Sequence, residues 1–465
     1  MRTSDTVSNW IKFTTFGFRY RPEMNFKNDV AYRKQVLTAL LHQIVTREDD
    51  IIAALARDFQ KPAFEGLVTE TFIVLSDLRQ TIKNIGRWSR PQCVWPSILN
   101  FPSTDRIYRE PYGNVLVIAP WNYPFQLAMC PLIAAVAAGN AVTLKPSELS
   151  PATSEIIADI VRATFGPNHV EVYQGDASVS ERLLTHRWDY IFFTGSVAVG
   201  KIVAQAAARH LTPVTLELGG KNPCIVGASA NLALAARRIV WGKFLNAGQT
   251  CIAPDYLLVE QKIKSALIPL LIAEIEKAYS RDPQQSQDLA RIISDKHWQR
   301  LVSMIDREKI LYGGQSDAPT RYLSPTLIDE PISESAVMQG EIFGPILPVL
   351  SYETWTDIEN VIGRYEKPLS LYVFSQDDAF SRKVIQQFSF GNGCINDTVV
   401  QFGNARLPFG GVGHSGMGAY HGRAGFETFS HRKPVVKKAN WLDLTMRYAP
   451  YTHKFKTIRQ LLKWL

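Results

Sequence analysis

The sequence predicts an α/β protein made of two doubly wound domains. From about residue 112 onward, short apolar runs alternate with amphipathic segments, which is the order of strands and helices in such a fold. The strand-like runs are apolar throughout, as expected of parallel strands that helices cover on both faces. At 465 residues, the chain is long enough for two or three domains with sizeable cores.

The first alternating series occupies residues 114–220 and predicts one parallel sheet. Its strand-like runs are NVLVIAP, AVTLKPS, VEVYQG, YIFFTG and VTLELGG. The helical segments between them are FQLAMCPLIAAVAAG, PATSEIIADIVRATF, SVSERLL and AVGKIVAQAAARH. Sheets of this type bind ligands beyond the carboxyl ends of their strands, so we expect functional residues there.

A second alternating series follows and predicts a second α/β domain. It contains the strand-like runs PCIVGA, DYLLVE, ILPVLSY, LSLYVFS and GNGCIND, with helices at LALAARRIVWGKFLN and IKSALIPLLIAEIEKAYS. The two series meet near residues 217–222. No Gly/Ser-rich linker separates them, so we expect domains that pack together.

The loop in YIFFTGSVAVGK joins a predicted strand to a predicted helix. Gly195, Gly200 and Lys201 almost complete a P-loop, but Ile202 lacks the hydroxyl that would hold Mg²⁺. Backbone N–H groups at the start of a helix attract phosphate, which favours a dinucleotide site. The alternative is that the two glycines merely permit a tight turn. We expect Ile202 to face the core of its helix.

A literal G-x-G-x-x-G pattern also occurs in GVGHSG, residues 411–416. It does not follow a strand, and no acidic residue stands about twenty positions on to bind a ribose. We therefore expect a flexible glycine-rich loop there, with no part in dinucleotide binding.

Five scattered cysteines without a C-x-x-C pair indicate a reducing compartment. The histidines show no H-x-x-x-H pair and no grouping with cysteine, so no metal site is expected. The first residues lack the apolar core of a signal peptide. A cytoplasmic protein is the expectation, with possible peripheral contact with a membrane.

The net charge of +8 is concentrated in residues 431–465, which contain nine Lys or Arg residues and one acid. The rest of the chain holds 42 basic and 42 acidic residues. A basic tail on a neutral body does not predict nucleic-acid binding. Near the end, apolar residues recur at helical spacing opposite basic ones: Phe455, Ile458, Leu461, Leu462 and Leu465.

This basic amphipathic helix predicts contact with a membrane surface, and Trp464 adds to that expectation. The alternative is a helix docked on its own protein or on the second subunit of a dimer.

Several motifs occur in a characteristic order: APWNYPF (119–125), LKPSE (144–148), VTLELGGKNP (214–223), NAGQTCIAPDY (246–256), EIFGP (341–345) and LPFGGVGHSGMGAYHG (407–422). This set resembles the NAD(P)-dependent aldehyde dehydrogenases, and its wording is most similar to the class 3 branch, which includes fatty aldehyde dehydrogenases. The resemblance covers about residues 30–430.

The resemblance implies a catalytic cysteine, Cys251, whose thiolate adds to the aldehyde carbon. Collapse of the resulting alkoxide expels hydride and leaves a thioester that water cleaves. Asn122 and the Cys251 backbone N–H match the donors to the oxyanion. Glu217 matches the base that activates water, and burial between leucines would raise its pKa. The other four cysteines are expected to be buried and inert.

The resemblance also implies a cofactor site for NAD, with NADP possible. Lys145 and Glu148 match residues at the adenine-side ribose, where a glutamate disfavours a 2′-phosphate. Glu341 and Phe343 match residues at the nicotinamide end. The loop residues assigned to the dinucleotide are Gly195, Ser196, Val197, Ala198, Val199 and Gly200. Tyr123 and Trp241 match the substrate pocket, which implies medium- or long-chain aliphatic, or aromatic, aldehydes.

The implied fold has a Rossmann-like cofactor domain, a catalytic domain and a small oligomerisation element. The expected boundaries are 1–90 and 112–216 for the cofactor domain, 217–405 for the catalytic domain, 91–111 and 406–430 for the oligomerisation element, and 431–465 for the tail. A homodimer is expected. Two alternative functions remain: transfer of the acyl group to coenzyme A, and a non-catalytic nucleotide-binding scaffold.

Overall fold

The computed structural model describes residues 29–461 and residue 463, and it confirms the predicted α/β fold. Its strands form a six-stranded, a seven-stranded, a three-stranded and a two-stranded sheet. Among the described residues, no helix is long and apolar enough to span a bilayer.

The helices are α1 (Val30–Thr46), α2 (Glu48–Phe59), α3 (Ala63–Gly66), α4 (Phe72–Trp88), α5 (Gln126–Ala138), α6 (Pro151–Thr164), α7 (Ala177–Leu184), α8 (Val197–Ala208), α9 (Leu232–Phe244), α10 (Gln261–Tyr279), α11 (Asp295–Val302), α12 (Ala336–Gln339), α13 (Trp355–Ile362), α14 (Asp378–Gln387), α15 (Gly422–Thr428) and α16 (Phe455–Leu461).

The strands are β1 (Gln92–Val94), β2 (Ser103–Pro111), β3 (Asn114–Ile118), β4 (Ala141–Lys145), β5 (Val170–Val172), β6 (Tyr190–Thr194), β7 (Val214–Glu217), β8 (Pro223–Val226), β9 (Tyr256–Glu260), β10 (Ile310–Tyr312), β11 (Ser316–Asp317), β12 (Tyr322–Leu323), β13 (Thr326–Asp329), β14 (Ile346–Tyr352), β15 (Ser370–Phe374), β16 (Asn392–Ile395), β17 (Gly416–Met417) and β18 (Ser430–Lys438).

The six-stranded sheet contains the first series and has the order β17-β7-β6-β3-β4-β5. All of its strands are parallel except β17, which pairs antiparallel with β7. The chain starts in the middle with β3, runs outward to β5, and then returns to the other side of β3 with β6. The reversal between β3 and β6 opens a crevice at the carboxyl ends of these strands.

Helix α5 forms the centre of the layer that covers one face of this sheet. All of its residues are buried, in keeping with a helix that is apolar on every side. Helices α1 and α4 pack against it from outside. This packing holds the N-terminal helices on the sheet that carries β3, β6 and β7.

The seven-stranded sheet contains the second series and has the order β10-β13-β14-β9-β8-β15-β16. Its strands are parallel apart from β10. Only the segment 218–222 separates β7 of the first sheet from β8 of the second. The carboxyl end of β7 therefore lies where the two sheets meet.

The three-stranded antiparallel sheet has the order β1-β2-β18. It includes residues 430–438, most of which fall within the predicted amphipathic tail. Basic residues flank Val435 and Val436 on both sides, and residues 431–437 are all exposed, which suits an edge strand with neither face buried and explains the difference. The predicted C-terminal helix is present as α16 up to Leu461, whereas Leu462, Trp464 and Leu465 lie outside the described residues.

Candidate active site

Two cavities meet at Cys251, and residues from both sheets line them. The first, the polar cavity, has a volume of about 240 Å³ and lies at the crevice formed by β3, β6 and β7. The second, the apolar cavity, has a volume of about 300 Å³ and lies between the N-terminal part of α4, α9 and residues 399–403. Cys251 lines both cavities and is half-buried. A group that reacts at its Sγ atom can therefore be approached from either cavity.

The segment before Cys251 has an unusual backbone. Asn246 and Ala247 have φ angles of 56° and 53°, a region that non-glycine residues rarely adopt. Gly248 follows with φ +72°, and a Cβ atom there would lie 2.3 Å from the Gly344 carbonyl oxygen. The buried Glu65 carboxylate accepts a hydrogen bond from the Asn246 N–H at 2.9 Å, which stabilises the left-handed turn.

Hydrogen bonds tie this turn to Asn122. The Asn246 Nδ2 atom donates to the Asn122 carbonyl oxygen at 2.9 Å. In return, Asn122 Nδ2 donates to the Gln249 carbonyl oxygen at 3.0 Å. One hydrogen of the Asn122 amide is engaged in this way, which leaves the second for an oxygen atom in the polar cavity.

The Cys251 thiol has a raised pKa. Burial is the main cause, and the nearby carboxylates of Glu341 and Glu217 raise the pKa further. The thiol is therefore protonated at neutral pH until a base removes its proton. Two candidate bases line the same cavity as the sulfur.

Glu217 is the last residue of β7. It lies at the carboxyl end of the parallel strands, where the sequence analysis predicts functional residues. Its carboxylate is buried, and neither oxygen has a hydrogen-bond partner among the described residues. Burial raises its pKa well above the ordinary value, as expected from its leucine neighbours. Such an orphaned carboxylate costs folding free energy, which is typical of a functional site.

Glu341 lines the polar cavity and lies directly against the loop after β7. Burial, together with Asp255, raises the pKa of its carboxyl group to about 8, although the Gly220 N–H lowers it in part. Phe343 has φ 53°, and its ring meets that of Trp121 edge-on at 5.4 Å. An acid and an aromatic ring therefore line the polar cavity. The family resemblance implies that these two residues contact the nicotinamide end of a cofactor.

The predicted phosphate loop joins β6 to α8 at the other end of the polar cavity. Gly195 and Ser196 line the cavity, and Ser196 caps α8 by accepting a hydrogen bond from Val199 N at 3.4 Å. Gly200 has a packing reason as well, because a Cβ atom there would lie 2.7 Å from Leu218 Cδ2. The free N–H groups at the start of this twelve-residue helix suit an anion.

The expectation for Ile202 was wrong. Its side chain is 55% exposed, whereas Val203 is fully buried. Successive residues of a helix point about 100° apart, and Val203 already occupies the face toward the sheet. Val199, three residues earlier on the same side as Ile202, is also exposed.

Lys145 and Glu148 form an ion pair at the carboxyl end of β4, with Lys145 Nζ 2.5 Å from Glu148 Oε2. Lys145 ends β4 and is buried, while the Glu148 side chain is 39% exposed. The two residues lie together at the carboxyl end of the sheet, as their assignment to one ribose requires. The pairing also leaves the Glu148 carboxylate reachable from solvent.

The apolar cavity contains both predicted substrate residues. The buried Tyr123 hydroxyl hydrogen-bonds the Thr250 hydroxyl at 2.7 Å, next to Cys251. Lys61 Nζ lies 3.9 Å from the centroid of the Tyr123 ring and 2.8 Å from Glu70 Oε1. A buried ion pair therefore supports the wall formed by Tyr123. Trp241 lines the same cavity but is 45% exposed, which places it at the mouth.

Sequence reasoning missed several residues of the polar cavity: Trp121, Thr194, Leu218, His297 and Arg300. His297 and Arg300 lie on α11, more than forty residues after Cys251, and no motif marks them. Arg300 Nη2 donates to the Ile342 carbonyl oxygen at 2.7 Å, so it also holds the segment between Glu341 and Phe343. Trp121 stands inside the quoted APWNYPF motif and could have been found there.

The glycine-rich loop at 411–416 is not a free loop. Gly416 pairs with Glu217 in the antiparallel β17–β7 ladder, and Leu218 N donates to the Ser415 carbonyl oxygen at 3.1 Å. A Cβ atom on Gly416 would lie 2.4 Å from the Leu216 carbonyl oxygen. The expected flexibility was wrong, since these glycines allow two backbones to approach closely behind Glu217.

The remaining cysteines follow the expectation only in part. Cys130 and Cys224 are buried, Cys394 is half-buried, and Cys93 is exposed on β1. Across residues 29–461, no three His, Cys, Asp or Glu side chains come together in a way that could hold a metal ion.

The sequence profile of the aldehyde dehydrogenase family matches residues 24–435. The chain is 46% identical over 437 residues to the 4,4'-diaponeurosporen-aldehyde dehydrogenase of Staphylococcus aureus (strain NCTC 8325 / PS 47), with 94% of this chain and 95% of the relative covered. It is 41% identical over 421 residues to the dimeric NADP-preferring aldehyde dehydrogenase of Canis lupus familiaris, with 90% and 93% covered. Further relatives carry the name aldehyde dehydrogenase family 3, which confirms the class 3 resemblance.

The fold is likewise similar to a solved structure, the substrate-bound state of AldH from Staphylococcus aureus. The two share a TM-score of 0.91 at 45% sequence identity, and the match covers 93% of this chain and 95% of that one. Both α/β sheets and the residues of the two cavities fall within residues 24–435, the span that the family profile matches.

Proposed function

Because this chain belongs to the aldehyde dehydrogenase family, we propose that Cys251 is the nucleophile with which it oxidises an aldehyde to the carboxylic acid. The observation that carries this assignment is the position of Cys251 at the junction of two cavities, beside two carboxylates of raised pKa. An aldehyde reaches the sulfur through the apolar cavity. The polar cavity is left for a dinucleotide, which, when bound, supplies the acceptor for hydride.

The first step is the addition of the Cys251 thiolate to the carbonyl carbon. The thiol proton moves to one of the two carboxylates that line the polar cavity, Glu341 or Glu217, and passes from there to solvent, so Glu217 is ionised for the later step. The carbonyl π electrons move to oxygen, which becomes an alkoxide. Asn122 Nδ2 and the Cys251 N–H donate to this oxyanion.

Collapse of the alkoxide restores the C=O bond and releases hydride with its electron pair, so the carbon is oxidised to a thioester on Cys251. Glu217 then accepts a proton from water as the water oxygen attacks the thioester carbon. The C–S bond breaks, the carboxylic acid leaves, and the proton held by Glu217 passes to Sγ and restores the thiol. A buried base with free oxygens favours water as the acyl acceptor over coenzyme A.

The residues of the polar cavity fit a nicotinamide dinucleotide. The N-terminus of α8 offers N–H groups for a pyrophosphate, and Glu341 Oε1 is buried without a partner in the described part of the chain, as a ribose hydroxyl would require. The exposed side chains of Val199 and Ile202 suit contact with an apolar ring face. NAD is the proposed cofactor.

NADP is the second choice. The Glu148 carboxylate accepts from ribose hydroxyls and repels a 2′-phosphate, whereas its neighbour Lys145 attracts one. The canine relative carries the words NADP-preferring in its name. Comparison of kcat/KM for both cofactors in the wild type and in Glu148→Gln tests this, because loss of the carboxylate should improve NADP use more than NAD use.

The apolar cavity favours a medium- or long-chain apolar aldehyde. Its lining includes Ile73, Leu127, Val399 and Phe402, with Trp241 at the mouth. A charged aldehyde would lose hydration there without gaining a partner. The staphylococcal relative is named for 4,4'-diaponeurosporen-aldehyde.

A homodimer is the proposed assembly. The three-stranded sheet ends in β1 and β18, and the seven-stranded sheet ends in β16, so these edges have free backbone groups in the described chain. Near them, Trp95 is 94% exposed, and Val435 and Val436 are 42% and 50% exposed. A second copy that covers these edges would bury both features. Light scattering of Val436→Asp against the wild type tests this, with a fall in mass as the expected result.

We place the enzyme in the cytoplasm, where a reactive thiol stays reduced, and we propose peripheral membrane contact through the tail. The exposed Lys456, Arg459 and Lys463 supply positive charge beside the exposed Phe455. Vesicle flotation of full-length Lys456→Gln/Arg459→Gln/Lys463→Gln tests this contact. Equal binding of the variant and the wild type to anionic vesicles would refute it.

The central assignment is tested with Cys251→Ala. This variant should bind NAD as the wild type does but produce no NADH from an aldehyde. Alkylation with iodoacetamide should modify Cys251 before the buried Cys130 and Cys224. Persistent turnover in Cys251→Ala would refute the assignment, and Cys224→Ala is the matched control.

A further inference from the structure

A third cavity, the basic cavity, lies on the surface between the C-terminal half of α4 and the segments 405–406 and 423–424. Its volume is about 720 Å³. Five cationic side chains line it and no acidic one does: Arg79, Lys83, Arg87, Arg406 and Arg423. None of them has a part in the chemistry proposed above.

Most of this charge is not neutralised by the protein. Arg79, Lys83 and Arg406 form no ion pair within the described residues, and Arg87 donates only to the neutral Asn84 Oδ1 at 2.8 Å. Arg423 alone pairs with an acid, Glu427, which a further arginine outside the cavity shares. The basic cavity therefore presents a strong positive potential to whatever faces it.

The basic cavity adjoins the apolar cavity that leads to Cys251, because the same two segments bound both. Ile73 of α4 lines the apolar cavity, and Arg79 lies about 9 Å further along the same helix. On the opposite side, residues 399–403 line the apolar cavity and Arg406 lines the basic one.

One face of α4 carries both characters. Phe72, Arg79, Lys83 and Arg87 are all exposed and recur at spacings that place them on one side of a helix. Phe64 and Leu67 precede this face and are 71% and 39% exposed. The surface thus changes from apolar at the start of α4 to basic at its end.

The segment 399–407, on the opposite side of the two cavities, also combines exposed apolar side chains with a cation. Val400 lines the apolar cavity and is 46% exposed, and Leu407 is 49% exposed next to Arg406. Large apolar side chains exposed around one opening, with cations on the adjoining surface, are typical of proteins that bind a membrane surface.

We propose that this face of the folded protein binds the surface of an anionic phospholipid membrane, with the cations of the basic cavity on headgroup phosphates and the apolar side chains around Cys251's apolar cavity in the outer acyl layer. Arginine suits this role because its guanidinium donates two parallel hydrogen bonds to one phosphate.

The spread of the charges favours a membrane over a single soluble anion. Arg79 and Arg87 lie about 12 Å apart along α4, which is wider than one phosphate group. The exposed Phe64, Leu67 and Phe72 would contribute nothing to the binding of a soluble anion. A phospholipid surface offers phosphates over the whole distance and an apolar layer beside them.

The consequence, which rests on the proposed oxidation of an apolar aldehyde, is a direct route from the lipid to the sulfur. An aldehyde dissolved in the membrane would enter the apolar cavity without crossing water. None of these residues belongs to the C-terminal tail, so the cations of each can be substituted without the other.

The experiment is vesicle flotation with full-length protein. The vesicles contain phosphatidylglycerol and phosphatidylcholine in equal parts, or phosphatidylcholine alone. The test variant is Arg79→Gln/Lys83→Gln/Arg87→Gln, and the matched control is Arg307→Gln/Arg364→Gln/Arg382→Gln, which removes three exposed arginines elsewhere. The tail variant Lys456→Gln/Arg459→Gln/Lys463→Gln completes the set.

The wild type and the control should bind the anionic vesicles and leave the neutral ones in solution. The test variant should partition at least roughly tenfold more weakly, since each lost cation weakens attraction to an anionic surface. Its kcat/KM for a short, water-soluble aldehyde should equal that of the wild type, while its kcat/KM for a long-chain aldehyde presented in anionic vesicles should fall.

Two results would overturn the proposal. Binding of the test variant equal to that of the control would show that these cations do not face lipid, even if the tail variant loses binding. Thermal stabilisation of the wild type, but not of the test variant, by inorganic phosphate without any vesicle binding would identify a site for a soluble anion. If the wild type did not oxidise the short aldehyde, that result would instead count against the proposed function.

Discussion

A Cβ atom placed on Gly219 would lie 2.3 Å from both carboxylate oxygens of Glu341. The loop after β7 therefore has no room for a side chain while Glu341 keeps its position in the polar cavity. Two motifs that stand far apart in the sequence, ELGGK and EIFGP, are thus parts of one contact.

Gly219→Ala should displace the Glu341 carboxylate. The side chain is flexible at its end, so we expect the fold to be retained while the KM for NAD rises by about tenfold or more, because one charge-assisted hydrogen bond to the cofactor is lost. Steady-state kinetics at saturating aldehyde measures this. Glu341→Gln should show a similar rise, and an unchanged KM in Gly219→Ala would separate Glu341 from cofactor binding.

Glu217→Gln should separate the two halves of the reaction. The amide cannot accept a proton from water, so the thioester should accumulate on Cys251 after a burst of NADH. Steady-state turnover should fall by roughly 10²- to 10⁴-fold. Stopped-flow absorbance and mass spectrometry of the acylated protein measure the burst and the adduct, and a variant without a burst would place Glu217 in the acylation step instead.

The pH dependence of the wild type should follow from the raised pKa values of the site. Glu217 and Cys251 act in their ionised forms, and burial raises the pKa of both. Turnover should therefore increase as the pH rises above neutrality and decrease in acid. In Glu217→Gln, the remaining slow turnover should no longer depend on ionisation of this carboxyl group. A profile of kcat against pH would show the loss of that dependence.

Asn122→Ala should lower kcat/KM by roughly 10²- to 10³-fold, the usual effect of removing one donor to an oxyanion. The variant also loses the hydrogen bond to the Gln249 carbonyl oxygen, so its melting temperature is the necessary companion measurement. Asn122→Asp keeps the shape but replaces donors with an acceptor, and it should be at least as defective. Activity close to that of the wild type in Asn122→Ala would remove this residue from the oxyanion site.

Lys61→Met should destabilise the protein by about 3 to 5 kcal/mol, because it leaves the Glu70 carboxylate buried without its cation. Lys61→Met/Glu70→Gln should be less destabilised, since the amide oxygen can still accept from Gln126 N. Urea unfolding of both variants measures the difference. Equal losses in the single and double variants would contradict the role of the ion pair under Tyr123.

The sequence predicts much of this architecture because its signals are local. Apolar runs mark β3, β6 and β7, and the glycines after Glu217 mark a strand end at which a functional acid is expected. The sequence does not show as readily which side of a helix packs against elements that are distant in the chain. Ile202 is exposed because Val203 already faces the sheet, and the pattern of α8 alone does not decide between them.

Other features depend on contacts between segments far apart in the chain. The left-handed backbone at Asn246 is stabilised by Glu65, 181 residues earlier. His297 and Arg300 reach the polar cavity only because α11 packs beside it. The expected looseness of residues 411–416 was wrong because the partner strand of that loop, β7, lies two hundred residues away in sequence.

The access to Cys251 from two sides has a practical consequence for inhibition. A water-soluble electrophile would reach Cys251 through the polar cavity and should be blocked by nucleotide. An apolar electrophile would reach it through the apolar cavity and should be blocked by fatty acids. Selective inhibitors of Cys251 could therefore be designed for either cavity. Whether nucleotide or fatty acid protects the enzyme from an inhibitor would show which cavity that inhibitor enters.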